Sequence, residues 1–412
     1  MPERLILTGG TIVTPTNLLE AGSVVIEGEQ IVAVTPRTYR PGEGMDETVH
    51  DVTGQYVIPG IVCLHNDAIE KAINPRPSAN FPTDLALMAL DRALISVGVT
   101  TQFHALAFIG TEGNERAVAA TALLAEAIAA FQAAMRGLID HHVLYRFDVR
   151  SPESFETVCR YLRTAPVKLI AFTDPMLGQG LPRDAARTYE QLRPEVRDTL
   201  SLARWQEQRT AYLEETTLRI PQMYEAAARF VRETDAILMS HDDETPEKVD
   251  AMHALGCRIA EFPLTAAAAR RAHERGMPVS MGAANLVRGG SLSGNARVLD
   301  LVAEGLVDIL VADYHAPSLL RGAFLIAEHG IMPLPTALAM VAATPACAVG
   351  LHDRGTLAAG QRADVIVTDA SGSVPVVTRA IVAGTQSYQV AQRKVHHTLQ
   401  SMQSPGEHDH AH

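Results

Sequence analysis

Eight short, nearly unbroken apolar runs recur along the chain, and between many of them lie segments of helical composition. The runs are "YVIPGIVCLHND", "GVTTQFHALAF", "HHVLYRFDV", "VKLIAFTD", "AILMSHDD", "RIAEFPL", "PVSMGAANL" and "VDILVADYHA". A strand covered on both faces loses the apolar/polar alternation of a half-exposed one, so continuous runs of this length read as parallel strands under helices. Ala- and Leu-rich stretches such as "ERAVAATALLAEAIAAFQAAM" supply the helices. Eight strand-and-helix repeats predict an α/β chain folded as a (β/α)8 TIM-like barrel.

The 412 residues exceed what one compact core usually holds, so a smaller second unit is expected beside the barrel. Residues 1–57 contain "RLILTGG", "TIVTP" and "GSVVIEGEQIVAV", rich in β-branched residues and punctuated by glycine and proline. The same signature returns in "ADVIVTDASG" and "PVVTRAIVAG", within residues 353–395. The two chain ends are therefore expected to pair into one small β-sandwich domain, leaving residues 58–352 for the barrel. A charged, helical stretch over about residues 182–234 reads as an insertion after the fourth strand. The polar residues 396–412 read as a disordered tail, where His408, His410 and His412 are spaced as metal scavengers without a preorganised site.

A formal charge of −12 argues against a nucleic-acid binder, whose footprint would be basic, so any anionic substrate must be met by local cations. Cys63, Cys159, Cys257 and Cys347 form no CxxC pair, which fits neither a zinc knuckle nor a disulfide framework and suits a reducing cytoplasm. The start "MPERLILTGGTIVTP" has no basic region followed by a long apolar one, and no run reaches the roughly 18–20 apolar residues of a membrane span. Neither export nor membrane insertion is predicted. Barrels of this size often form dimers or larger assemblies, so a homo-oligomer stays open.

Polar residues gather at the C-terminal ends of the apolar runs, which in a barrel form one rim where active sites are built. His65 and Asp67 close strand 1, Asp174 strand 4, His241 strand 5 and Asp313 strand 8, and Glu261 lies in strand 6. Strand residues two apart face the same side, so His65 and Asp67 can both point inward while Asn66 points away. These six residues are the candidate metal ligands, with Glu261 standing equally as a buried structural partner. His104, in "QFHALAF", stands equally as a metal ligand and as a support for the ligands or a core residue. Asp242 and Asp243 read as helix caps or supporting groups. Lys168 lies about 20 Å before Asp174 along an extended strand, at the wrong end to bridge metals. Mixed imidazole and carboxylate ligands suit one or two zinc or manganese ions. Such a centre acidifies a bound water and orients a phosphoryl oxygen, and Asp313 is placed to accept the water's proton.

At this point the sequence resembles the amidohydrolase superfamily, and within it the α-D-ribose 1-methylphosphonate 5-triphosphate diphosphatases of bacterial phosphonate breakdown. The superfamily usually carries H-x-H after strand 1, whereas the diphosphatase group looks like H-x-D, as His65 and Asp67 do here. The more specific matches are "NPRP" (Asn74 to Pro77), "SHDD" (Ser240 to Asp243), "AEFP" (Ala260 to Pro263), "MGAANLVRGGSLSGN" (Met281 to Asn295) and "ADYHAPSLL" (Ala312 to Leu320). The resemblance implies cleavage between the α- and β-phosphates of a ribose 5-triphosphate, leaving a 5-phosphate and releasing pyrophosphate. Such a small, highly anionic sugar phosphate gives Lys71, Arg76 and Arg288 a substrate-binding role. The stretch "RGGSLSGN" offers glycine-exposed backbone N–H groups, the hydroxyls of Ser291 and Ser293 and the Asn295 amide. One departure stands out: where the family looks like "DHTPGQGQF", this chain reads "DPMLGQGLPRD", with Pro175 in place of the histidine. A barrel does not fix a reaction, so hydrolysis of a C–N bond at the same centre and a catalytically silent scaffold remain rival expectations.

Overall fold

The computed structural model describes residues 4–40, 47–76, 79–110, 115–174, 189, 200–290 and 295–390. Among the described residues, five strands precede the barrel: β1 Arg4–Val13, β2 Leu18–Glu27, β3 Gln30–Thr35, β4 Glu47–Asp51 and β5 Tyr56–Pro59. The barrel strands are β6 Ile61–Asn66, β7 Val99–Phe108, β8 Asp140–Asp148, β9 Leu169–Thr173, β10 Ile237–His241, β11 Ile259–Glu261, β12 Val279–Gly282 and β13 Ile309–Val311. After it, among the described residues, come β14 Val365–Asp369, β15 Val376–Val382 and β16 Thr385–Gln389.

Strands β6 to β13 lie in chain order in one parallel sheet, each expected apolar run supplying one barrel strand and the first run also supplying β5 of the other sheet. The sheet closes at its C-terminal rim, where Asn66 and Asp313 form a parallel bridge. There the Asp67 N–H donates to the Asp313 carbonyl at 2.8 Å and the Asp313 N–H to the His65 carbonyl at 3.0 Å. Lower down, residues 340–341 stand between the first and last strands: Val62 N–H donates to Val341 O and Leu310 N–H to Met340 O, both at 2.9 Å. The closure thus clamps the backbone of His65, Asp67 and Asp313 together.

Helix caps keep several rim loops short. Ser151 accepts from the Ser154 N–H, Thr245 from Lys248 and Thr265 from Ala268, starting helices four or five residues beyond β8, β10 and β11. Thr245, rather than Asp242 or Asp243, is the cap of its helix. The stretch between β9 and β10 contains the helices Leu202–Thr217 and Ile220–Thr234.

A second, mixed sheet unites the chain ends in the order β16-β15-β14-β5-β1-β2-β3, with β4 on β1. Its seam is the antiparallel β14–β5 pair, and its inner residues form a core separate from the barrel's. Gly384, at φ 76°, completes the β15–β16 turn against the turn after β2; a Cβ there would lie 1.7 Å from the Gly28 carbonyl oxygen. Arg354 and Arg362 both bond Asp140 at the start of β8, and Arg362 also pairs with Asp364, joining this sheet to the end of the barrel away from the rim.

Candidate metal centre

Parity and register decide which side chains meet at the rim. His65 is 1% exposed and Glu261 0%, so neither can titrate without its neighbours responding. His65 Nδ1 lies 2.8 Å from Glu261 Oε1, and Nε2 lies 3.2 Å from Asp67 Oδ1. One ligand atom each from His65, Asp67 and Asp313 falls within a mutual 4.8 Å. Burial draws the His65 imidazole down, but the facing Glu261 and Asp67 carboxylates outweigh it and raise it to about 10. The reciprocal field of His65 overcomes burial and brings Asp67 down to about 2. Burial raises Asp313, with Asp67 and Glu261 adding to the effect.

These donors fit a divalent cation. If Nδ1–H donates to Glu261, Nε2 and the Asp67 oxygen confront each other as two acceptors, a pairing resolved by a second ring proton or by a cation. A buried carboxylate behind the far nitrogen of an imidazole is the usual means of orienting a metal-bound histidine. Glu261 therefore stands behind His65, across the ring from Asp67, rather than beside the facing pair.

His241 joins the group from β10. Its Nδ1 lies 3.1 Å from Asp242 Oδ2 and its Nε2 3.7 Å from Glu261 Oε2. Asp243 is fully buried, accepts from the Ser240 hydroxyl, and is raised by burial to about 6. Three rim residues have left-handed backbones: Asp242 (φ 53°), Phe262 (φ 54°) and Asp313 (φ 57°). Aspartate tolerates that region, whereas phenylalanine is strained there, as residues around functional sites often are. The Phe262 ring packs edge-on to both His65 and His241, at 5.2 and 5.6 Å between centroids.

Sequence reasoning overlooked Arg146. It rises from β8 with 14% of its side chain exposed, its Nη1 3.5 Å from Asp67 Oδ1 and its Nη2 3.1 Å from His241 Nε2. The available signal was an arginine inside the apolar run "HHVLYRFDV".

Two expected residues lie apart. Asp174 ends its strand as predicted, but Arg150 grips both of its oxygens at 2.8 Å, so its carboxylate is already committed. His104 bonds His141 Nδ1 at 2.9 Å, and His141 reaches Asp91 of the helix Thr83–Ile95 at 3.1 Å. His104 thus points into the strand–helix layer, away from the bore, because its parity on β7 is opposite to that required.

Above the centre opens a cleft of about 220 Å³ whose lining includes Asn285, Asn295 and Tyr314. Lys71 Nζ stands 5.6 Å from the Tyr314 ring centre and Arg288 donates to its hydroxyl at 3.2 Å, so two cations converge at the mouth. Arg76 is exposed nearby in sequence, in an isolated bridge with Ala79. Ser291, Ser293 and the loop from Pro175 lie outside the described residues.

No family model matches the chain. Over 357 residues it is 32% identical to the alpha-D-ribose 1-methylphosphonate 5-triphosphate diphosphatase of Escherichia coli K12, covering 85% of this chain and 92% of that one. The chain belongs to the family of this diphosphatase. Among solved structures, a D-hydantoinase superposes with a TM-score of 0.61 at 13% identity, covering 94% of this chain and 95% of that one. The beta-aspartyl dipeptidase of Fervidobacterium islandicum superposes with a TM-score of 0.57 at 14% identity, covering 95% and 98%. At such identities these likenesses speak for the fold alone, a barrel with an accessory sheet from both chain ends. Among the described residues no helix is long and apolar enough to cross a membrane.

Proposed function

We propose that the protein is a metal-dependent diphosphatase that hydrolyses the α–β phosphoanhydride of a ribose 5-triphosphate carrying a 1-phosphonate, releasing pyrophosphate. The observation that carries this reading is the convergence of His65, Asp67 and Asp313 within 4.8 Å beneath a cleft with cations at its mouth. The relative named for this reaction supports the substrate class.

His65, Asp67 and Asp313 would hold the ion, of zinc or manganese type. When bound, a divalent cation supplies Lewis acidity, acidifying a water and drawing charge from a phosphoryl oxygen. Glu261 fixes the His65 ring, and the clamped strand ends hold Asp67 and Asp313 across from it. Asp313 takes the proton of the attacking water, a role suited to a carboxylate whose basicity is raised by burial. Lys71 and Arg288, with Tyr314 between them, neutralise the distal phosphates and the charge that grows on departing pyrophosphate. The four cysteines are free, in keeping with a reducing cytoplasm.

The test is pyrophosphate release from the ribosyl triphosphate by metal-loaded protein, compared with nucleoside triphosphates and cyclic amides. Turnover of the ribosyl compound is expected, with Asp313→Asn lowering kcat by about 10²–10⁴. Turnover of a cyclic amide without pyrophosphate release would transfer the centre to C–N chemistry.

A further inference from the structure

We infer that Arg146 takes the place of a second metal ion, so that this centre is built for one divalent cation. The inference rests on the metal-dependent reading above and concerns the number of ions, whichever bond is cleaved.

A second ion drawing on β10 and β11 would need His241 Nε2 and an oxygen of Glu261. His241 Nε2 and one of the two Glu261 oxygens, Oε1, are engaged from the protein side. Asp242 Oδ2 lies 3.1 Å from His241 Nδ1, which fixes the tautomer with its proton on Nδ1 and leaves Nε2 as an acceptor. Arg146 Nη2 stands 3.1 Å from that Nε2 and donates to it. Its Nη1 is 3.5 Å from the Asp67 oxygen that faces His65, so the same guanidinium spans the gap between the strand-1 and strand-5 groups. Glu261 Oε1 is held by His65, while Oε2, buried and without a hydrogen-bond partner, lies 3.7 Å from His241 Nε2.

A guanidinium can do part of what an ion does there. Its planar fork has five N–H donors and no open coordination position, so it compensates carboxylate charge and fixes geometry without activating water. Arg146 is thus a positioning residue: it aligns Asp67 toward the single ion and keeps His241 out of the coordination sphere. Inward parity on β8 brings it there, since Arg146 lies four residues beyond His142, whose ring stacks on Phe103.

The experiment counts ions per chain by mass spectrometry of elements after equilibration with excess zinc and removal of free metal, with calorimetric titration of the metal-free protein. One equivalent is expected for the unaltered chain and two for Arg146→Met, in which His241 Nε2 is released beside the unpartnered Glu261 Oε2. His241→Ala should keep one equivalent with a Kd within about threefold, whereas loss of a ligand or its immediate support costs about 10–100-fold. Two equivalents in the unaltered chain would overturn the inference, as would a single equivalent in folded Arg146→Met. If that variant does not fold, loss of an equivalent in His241→Ala decides against it. Zero equivalents in the unaltered chain would instead overturn the metal reading on which it rests.

Discussion

His65 is the residue on which the centre turns, because each ring nitrogen faces a different carboxylate and the ring itself is sealed from solvent. Glu261→Gln should lower metal affinity about 10–100-fold while leaving the fold intact, since an amide can offer His65 Nδ1 an acceptor but not a charge; calorimetric titration of the metal-free variant measures this. Unchanged affinity would mean that Glu261 is only a packed carboxylate. His65, Asp67 and Asp313 were legible in the sequence because each stands at the polar end of an apolar run. Arg146 was not, since an arginine flanked by tyrosine and phenylalanine gives no sign of which way it points. The fate of Asp174 was hidden for a different reason. No spacing links it to Arg150, and only the register of β8 on β9, with Asp148 beside Thr173, brings the two together.

At the scale of elements, strands buried on both faces give away their existence but not their orientation, and β7 and β8 illustrate the consequence. His104 and His141 face the helices, stacked at 5.2 Å, whereas the neighbouring His142 stacks on Phe103. Burial pushes His104 well below the usual imidazole range and His142 down to about 4. A histidine depressed on folding contributes stability that is present above its unfolded value, near 6.5, and is lost as pH falls toward its folded value. The unfolded chain binds more protons in that window. These two histidines therefore lower stability between pH 7 and pH 5, against the opposite pull of the raised His65, Asp148 and Asp243, and His142's share of the slope is on the order of 1 kcal/mol. His142→Phe should remove that share, as followed by thermal unfolding; a slope unchanged by the variant would assign the loss elsewhere.

At the scale of the whole molecule, barrel and accessory sheet divide the work. The barrel's rhythm and the pairing of the two chain ends were both readable, because a parallel barrel repeats its signature eight times and the β-branched ends repeat theirs twice. The closure was not readable: residues 340–341 enter between β6 and β13 through backbone hydrogen bonds that no side-chain pattern announces. Arg354, Arg362 and Asp140 anchor the sheet at the far end of the barrel, which leaves the rim free to carry the chemistry. The proposed metal ion would sit at this rim, held by residues from the first and last strands. Anomalous diffraction at the absorption edge of the bound metal, from crystals of the metal-loaded protein, tests this placement most directly. A peak bounded by His65, Asp67 and Asp313 is expected, at about 2.0–2.2 Å from their ligand atoms. A peak at the Arg150–Asp174 pair, or none at the rim in active protein, would contradict it.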